Sequence, residues 1–271
     1  MYGVGFGYGS AGATTILKSG VAIDADAQSF FTANSTLTDA TLKGYINQLY
    51  IDLKANSLLT KIKDCKLLML GNSEKTKYSL ITPASFNNAY SSGWTFGSTG
   101  ATPNGTSAYC DTNFKPITNG SLTANNNHIG IYCQSSNADD FYNAGSETYP
   151  AANALNLWVR RTGDTAGYDS GTYTQNRNSF SNTDGKGYYL GTSGNLQSKF
   201  YKNGMLKNTV SITDMALTDN NIYIGSTNPI NSFTDQTISL YHVGTSLNNT
   251  EAIAMATCFN TFMTSLGINT Y

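Results

Sequence analysis

Charged side chains are scarce in this sequence. Lys, Arg, Asp and Glu make up 12% of its 271 residues, against roughly 25% in an average soluble protein. The net charge is -1, so there is no basic excess to neutralise phosphates, and we expect no nucleic-acid partner. No apolar run approaches the about 18 residues of a membrane span. The N-terminus lacks a basic stretch followed by an apolar one, so no signal peptide is predicted.

Side chains that carry chemistry are also few. The three Glu are widely separated at Glu74, Glu147 and Glu251, and the two His are His128 and His242. A glycosidase strand needs two carboxylates at alternate positions, so that both lie on one face of the sheet. No such pair of Glu and no GxSxG motif occurs, so we predict that the protein is not an enzyme. None of the four Cys belongs to a CxxC pair, and we expect buried free thiols rather than disulfides or a metal site.

Asn, Ser, Thr, Gly and Tyr are abundant instead, which favours a β-rich protein with polar surfaces. From Cys65 onward, short runs of strand length alternate with turn-forming residues. The clearest runs are CKLLML, HIGIYCQ, NALNLWVRR, GYYLGT, LQSKFYKNG, NIYIGST and TISLYHVG. Few helical segments separate them, so an antiparallel two-sheet sandwich is predicted. Asn203-Gly204 indicates a tight hairpin turn.

Three zones follow along the chain. Residues 1–20 form a Gly- and aromatic-rich arm in which Tyr2, Phe6 and Tyr8 are candidate partner-docking residues. The arm either docks on a neighbouring subunit or folds against its own domain. Residues 21–64 form a helical neck whose apolar stripe is expected to dock on the β domain. Residues 65–271 form the sandwich and end in a helix over 249–266, which a capping box is predicted to start.

The predicted helix ends depend on particular capping residues. Asp24 is expected to cap a first helix, and Thr38 a second one that ends at Asn56. Asn248 and Glu251 have the spacing of the capping box, and Gly267 is expected just beyond the end of the last helix.

Residues 185–255, about a quarter of the chain, resemble the closing half of a laminin-G or concanavalin A-like lectin domain. The resemblance is carried by FYKNGMLKNTV, NIYIGST and TISLYHVGTSLNNTEA in this order. It implies a mainly β fold, a concanavalin A-like antiparallel β-sandwich (jelly roll), with an N-terminal helical segment and a C-terminal helix.

Residues 23–112 are similar to a module of virion and tail-associated proteins of tailed phages. The similarity lies in IDADAQSFFTAN, TDATLKGYINQLYIDLK and GWTFGSTGATPNGTSAYCDT. It implies a structural component of a bacteriophage virion (fibre, capsid decoration or tail-attached protein), made in the host cytoplasm. The implied partners are other virion proteins, bound through the arm, and further copies in a homo-oligomer such as a trimer. The alternative is a soluble carbohydrate-binding module of bacterial origin.

Aromatic and amide side chains of a lectin-like sandwich suit contact with a host surface glycan. The candidate glycan-binding residues are Trp94, Tyr142, Tyr168, Tyr173 and Arg177, several of them in a predicted polar loop, DTAGYDSGTYTQNR. The alternative is that they form plain sandwich surface or subunit contacts.

Cofactors are not expected, with calcium as the one candidate. Laminin-G relatives often hold this ion at the rim of the sandwich, and Asp169 and Asp184 lie in suitable predicted loops. No loop offers an ordered series of oxygen ligands, as a dedicated calcium site does.

Overall fold

A computed structural model describes residues 22–148, 153–172, 176–230 and 232–271. The helices are α1 (Ala25–Ala33), α2 (Ala40–Ala55), α3 (Ser73–Thr76), α4 (Pro116–Gly120) and α5 (Asn249–Ser265), with a 3-10 turn at Leu59–Lys61. The strands are β1 (Ile62–Leu67), β2 (Ala89–Tyr90), β3 (Trp94–Phe96), β4 (Ala101–Pro103), β5 (Cys110–Asp111), β6 (Asn126–Cys133), β7 (Ala144–Thr148), β8 (Asn153–Arg161), β9 (Thr165–Thr172), β10 (Arg177–Ser181), β11 (Gly187–Gly194), β12 (Gln197–Lys202), β13 (Met205–Ser211), β14 (Tyr223–Ile224) and β15 (Ile238–Gly244). The predicted docking residues Tyr2, Phe6 and Tyr8 and the predicted glycan-binding residue Tyr173 lie outside the described residues.

The strands form two antiparallel sheets. The eight-stranded sheet has the order β13-β12-β11-β6-β15-β4-β3, and β1 also pairs with β15. The seven-stranded sheet has the order β10-β9-β8-β7-β14-β5-β2. Strands that are adjacent in a sheet are often far apart in sequence, for example β6 and β15. Such long-range antiparallel pairing is typical of a two-sheet sandwich. The predicted mainly β, antiparallel two-sheet sandwich is confirmed.

Two apolar clusters hold the layers together. The first fills the space between the sheets and includes Ile129, Ile131, Leu157, Tyr168 and Phe200, all fully buried. The second lies on the outer face of the eight-stranded sheet. There α1, α2 and α5 cover a set of buried tyrosines and leucines from the strands, namely Tyr132, Tyr188, Leu190, Tyr201 and Leu240. The helices are therefore a third layer, packed on the eight-stranded sheet. Among the described residues, the seven-stranded sheet contributes none to this cluster.

Most of the predicted helix ends are confirmed. Asp24 caps α1 through the backbone N–H of Asp26, and Asn56 ends α2. The cap of α2 is Asp39 rather than the predicted Thr38. The Asp39 carboxylate accepts from two backbone N–H groups, and its negative charge at a helix N-terminus adds a stabilisation that a hydroxyl lacks. None of the helices in the described residues is long and apolar enough to cross a membrane.

The segment predicted as a long polar loop is largely strand. Residues 165–172 form β9, and Arg177 begins β10, which pairs with β9 in antiparallel register. The four cysteines are buried and free, as predicted. Asn203 and Gly204 both have positive φ, which confirms the predicted hairpin turn.

Candidate functional site

The outer face of the seven-stranded sheet carries a row of mainly polar residues. The strand register places one residue of each strand side by side across six strands, namely Arg177, Asp169, Asn156, Gly145, Tyr223 and Asp111. Side chains of a strand alternate between faces, and the intervening residues Leu155, Leu157 and Tyr168 belong to the inner core. The row therefore lies on the side of the sheet away from the core, and we take it as the candidate site.

Trp158 is the aromatic centre of this face. It shares the face of β8 with Asn156 and pairs with Gly167 on β9. A Cβ at position 167 would lie 1.8 Å from the Trp158 ring, so the indole fills the space that a side chain at 167 needs. Only 2% of Trp158 is exposed. The glycine thus lets a large ring pack closely against the sheet.

Two arginines and a tyrosine cover the indole. The guanidinium carbon of Arg161 lies 4.1 Å from the Trp158 ring centroid, and that of Arg177 lies 4.8 Å from it. Tyr142 packs edge-on against Trp158 at 5.6 Å, and Arg161 also lies 4.5 Å from the Tyr142 ring. Cations over aromatic faces are stabilised by the ring quadrupole. Since Tyr142, Arg161 and Arg177 are only partly buried, these three side chains are what the cluster presents to solvent.

A bulge in β8 brings Arg161 to this cluster. In a regular strand, residues three apart point to opposite faces. The pairing of β8 with β9 shifts register between Trp158 and Arg161, which supplies the extra residue. Both side chains consequently reach the same face, while Arg160 between them pairs with Asp164.

Asp169 and Arg177 form a bidentate ion pair on the adjoining strands. Nε and Nη2 of Arg177 each donate at 2.9 Å to one Asp169 carboxylate oxygen. Burial raises the pKa of Asp169 above its usual value, although Arg177 and Arg161 act in the opposite direction. Both Asp169 oxygens are thus occupied, and the pair fixes the position of Arg177 against the indole.

Asn156 extends the polar network toward β7. Its side-chain amide donates to Glu147 at 3.2 Å, and its carbonyl oxygen accepts from the Thr227 hydroxyl at 3.1 Å. Asn156 is fully buried, whereas Glu147 is partly exposed. The face therefore combines an aromatic cluster, two guanidinium groups, two carboxylates and an amide across the four neighbouring strands β7 to β10.

The predicted glycan-binding residues are only partly brought together. Tyr142 and Arg177 lie in this site. Tyr168 is fully buried between the sheets, where its hydroxyl is bonded to Asn127 and Ser193, so its ring is unavailable to a ligand. The prediction for Tyr168 placed it in a loop, but β9 turns it toward the core. Trp94 lies on the eight-stranded sheet, where its indole N–H donates to the Tyr109 carbonyl.

Trp158, Arg161 and Asn156 were not among the site residues predicted from the sequence. A usable signal was present in NALNLWVRR, where Ala154, Asn156 and Trp158 alternate with three buried apolar residues. That alternation indicates one face toward the core and a second face toward the site. Arg161 had no such signal, because its direction depends on the bulge.

The calcium candidates do not form a site with each other. Asp169 is committed to Arg177, and the Asp184 carboxylate accepts from the backbone of Lys186 in the loop before β11. Within the described ranges, no group of three or more His, Cys, Asp or Glu side chains is placed to hold a metal ion.

Comparison with known proteins shows similarity of structure only, since no family model and no curated sequence matches this chain. The botulinum neurotoxin serotype D binding domain superposes with a TM-score of 0.52 at 12% identity, covering 74% of this chain and 52% of that one. Domain 4 of AbnA, a GH43 extracellular arabinanase from Geobacillus stearothermophilus in complex with arabinotriose, gives 0.51 at 12% identity, covering 72% and 98%. Trypanosoma rangeli sialidase in complex with sialic acid gives 0.52 at 12%, covering 80% and 39%.

The chain spans about half the length of the botulinum toxin chain that it matches. At these identities the likeness shows the fold alone. The fold is a mainly β, antiparallel two-sheet sandwich with N-terminal and C-terminal helices, as in the β-sandwich domains that it resembles.

Proposed function

We propose that this protein binds a glycan on the outer face of its seven-stranded sheet. The observation that carries the proposal is the cluster of Tyr142, Arg161 and Arg177 around the buried Trp158. Sugar sites combine aromatic surface with a few fixed polar groups that set orientation. This face supplies both, and the ion pair to Asp169 and the packing on Gly167 hold the groups in place without a ligand.

The similar structures support this proposal by the compounds that their names record. One is a domain in complex with arabinotriose, and another is a sialidase in complex with sialic acid. Such likeness of fold does not transfer a ligand, because one fold hosts many functions. Glycan binding by this chain is therefore proposed from its own side chains.

A glycan array with the soluble protein, followed by titration calorimetry, tests the proposal. Tyr142→Ala removes a partly exposed ring from the cluster, and we expect binding to weaken about tenfold, as loss of one aromatic contact does. Tyr271→Ala is the matched control, because that ring packs on Tyr132 near the C-terminus, where α5 also lies. An array without hits, or equal weakening by both substitutions, contradicts the proposed site.

We also infer that the site binds without cleaving. A glycosidase needs one carboxyl group free to donate a proton and a second free to attack or to activate water. Here both Asp169 oxygens accept from Arg177, and Glu147 accepts from Asn156. We therefore expect no release of reducing ends when the bound oligosaccharide is incubated with the protein, measured against a buffer blank. Turnover that disappears in Glu147→Gln contradicts this inference.

A structural role in a bacteriophage particle is the second candidate. Its support is the sequence similarity over residues 23–112, where a helical pair precedes the sandwich. In this role the sandwich projects outward, and residues 1–20 dock on other virion proteins or on further copies of this chain. Removal of residues 1–20 is then expected to abolish particle incorporation or oligomer formation. Unchanged assembly favours the soluble carbohydrate-binding module instead.

A further inference from the structure

Arg161 is the cation of the site that lacks an anionic partner. Arg160 pairs with Asp164, and Arg177 pairs with Asp169. No carboxylate in the described part of the chain lies within 4.0 Å of the Arg161 guanidinium. The Asp169 carboxylate on this face has both oxygens occupied by Arg177.

Two buried donors, one in this guanidinium and one in the neighbouring indole, also lack acceptors. Nε of Arg161 and Nε1 of Trp158 are both buried, and neither makes a hydrogen bond. Leaving a buried donor unsatisfied costs about 1–3 kcal/mol, so such groups usually have a partner. Trp158 is more than nine-tenths buried, and its indole lies under the Arg161 guanidinium. Two donors of the site, one on Arg161 and one on Trp158, are thus left without an acceptor next to the Arg161 charge.

Two aromatic rings restrict the Arg161 guanidinium. It lies within 4.5 Å of both the Tyr142 and Trp158 ring centroids, so it is held by two aromatic neighbours rather than swinging freely in solvent. A planar guanidinium held in this way presents parallel N–H groups that match the two oxygens of a carboxylate. A neutral sugar hydroxyl accepts from only some of these N–H groups and leaves the positive charge of Arg161 without a counter-charge.

We propose that the ligand of this site is an acidic glycan, and that its carboxylate pairs with Arg161. The proposal rests on the proposed function and specifies its ligand class. Two sources supply this chemistry, a hexuronate and a nine-carbon acidic sugar. Their shared feature is a planar carboxylate on a sugar ring whose apolar edge packs against Tyr142.

Titration calorimetry on matched sugars tests the proposal. The probes are lactose, lactose carrying a terminal N-acetylneuraminate, and a pair of disaccharides ending in glucose or in glucuronate. We expect at least one acidic probe to bind about tenfold or more tightly than its neutral counterpart, as a charge-assisted bidentate contact implies. Raising the salt concentration is expected to weaken only the acidic probe.

Substitution of Arg161 separates charge from geometry. Arg161→Gln is expected to bring the acidic and neutral probes within about twofold of each other. Arg161→Lys keeps the charge but not the planar guanidinium. We therefore expect it to show part of the preference for acidic over neutral probes that Arg161→Gln lacks, and to show the same salt dependence. Lys207→Gln, an exposed change of the same charge on β13, is the control and is expected to leave the preference intact. Thermal unfolding of each variant verifies that it is folded.

The outcomes distinguish this inference from the proposed function. If neutral and acidic probes bind equally at a site that Tyr142→Ala disrupts, the acidic class is wrong and glycan binding stands. If an acidic preference survives in Arg161→Gln, the assignment to Arg161 is overturned. If no probe and no array glycan binds, the proposed function fails and this inference fails with it.

Discussion

Two histidines form one hydrogen-bonded chain beneath α5. The His128 ring bonds through Nδ1 to the Thr245 carbonyl at 2.5 Å and through Nε2 to His242 Nδ1 at 3.0 Å, and His242 Nε2 bonds to the Tyr188 hydroxyl at 2.7 Å. The Thr245 carbonyl only accepts, so His128 donates to it, His242 donates to His128, and Tyr188 donates to His242. Every ring nitrogen is satisfied in the neutral state. A catalytic use of either histidine would leave this buried chain broken, which supports the prediction that they are sheet histidines.

The histidine pair makes the protein sensitive to mild acid. Burial lowers the pKa of His128 to about 4 and holds that of His242 well below its usual value. In the unfolded chain both take up a proton near pH 6.5. The unfolded state therefore binds more protons between these values, and the free energy of unfolding falls as the pH falls through that window. For His128 alone, the loss between pH 7 and pH 5 is about 2 kcal/mol.

The measurement compares wild type with His128→Gln by urea unfolding at pH 7 and pH 5. We expect the variant to lose about 2 kcal/mol less over this interval, because it lacks the titrating ring. Other groups change the free energy of unfolding with pH in the opposite direction. Burial raises the pKa of Asp139 to about 6, so this group favours the folded state as the pH falls. Such contributions are the same in wild type and variant and cancel when the two are compared. Equal losses in the two proteins contradict the assignment.

The site has no room for a side chain at position 167. Gly167→Ala places a methyl group 1.8 Å from the Trp158 ring, so the indole must leave its position. We expect a destabilisation of about 1–3 kcal/mol and a change in tryptophan emission. Gly97→Ala is the control, because the added Cβ finds only an ordinary contact at 3.7 Å. An unchanged emission spectrum would show that the indole does not depend on this glycine.

At the scale of elements, local signals predicted the helix ends and one hairpin, because each depends on a few adjacent residues. The N-terminus of α5 is an example. The Asn248 side chain accepts from the Glu251 N–H at 2.9 Å, and Glu251 accepts from the Asn248 N–H at 2.8 Å. Glu251 also pairs with Lys61, which the spacing alone could not show.

Asn248→Ala is expected to lower the free energy of unfolding by about 1 kcal/mol, since an orphan N–H at the helix start loses its acceptor. Chemical denaturation monitored by helical circular dichroism provides the measurement. Thr250→Ala, an exposed position in the first turn of α5, serves as the reference and is expected to have a small effect. If Thr250→Ala costs as much as Asn248→Ala, the capping box is not the stabilising feature.

Strand β9 was predicted as a loop, and it shows where signals from adjacent residues fail. Gly167, Asp169 and Gly171 make β9 read as a turn-rich loop, yet each has a tertiary reason to be in the sheet. Gly167 makes room for Trp158, and Asp169 pairs with Arg177. Gly171 adopts φ +89, a backbone conformation that suits glycine. The site was missed for the same reason, because its members come from β8, β9, β10 and the loop before β7 and are close only in the folded sheet.

At the scale of the molecule, the helices and the sandwich share one apolar cluster. Residues of α2 and α5 are buried with Tyr132, Tyr188 and Tyr201 of the eight-stranded sheet. The Tyr50 hydroxyl further donates to the Leu80 carbonyl at 2.5 Å. The helical segment that the sequence suggested as a neck is therefore packed on the sandwich through its apolar stripe. The helices cover the outer face of the eight-stranded sheet, whereas the proposed glycan site lies on the outer face of the seven-stranded sheet.

This shared cluster predicts that the helices and the sandwich unfold together. Helical circular dichroism reports on α2 and α5, whereas tryptophan fluorescence reports on Trp94 and Trp158, which both belong to the sheets. We expect the two signals to give one coincident urea transition. Leu49→Ala, a fully buried change in α2, is expected to shift both signals together by about 2–5 kcal/mol. Gln48→Ala, the exposed neighbour, is expected to shift neither appreciably. Two separate transitions, or a shift confined to the helical signal, would mean that α2 folds as an independent neck.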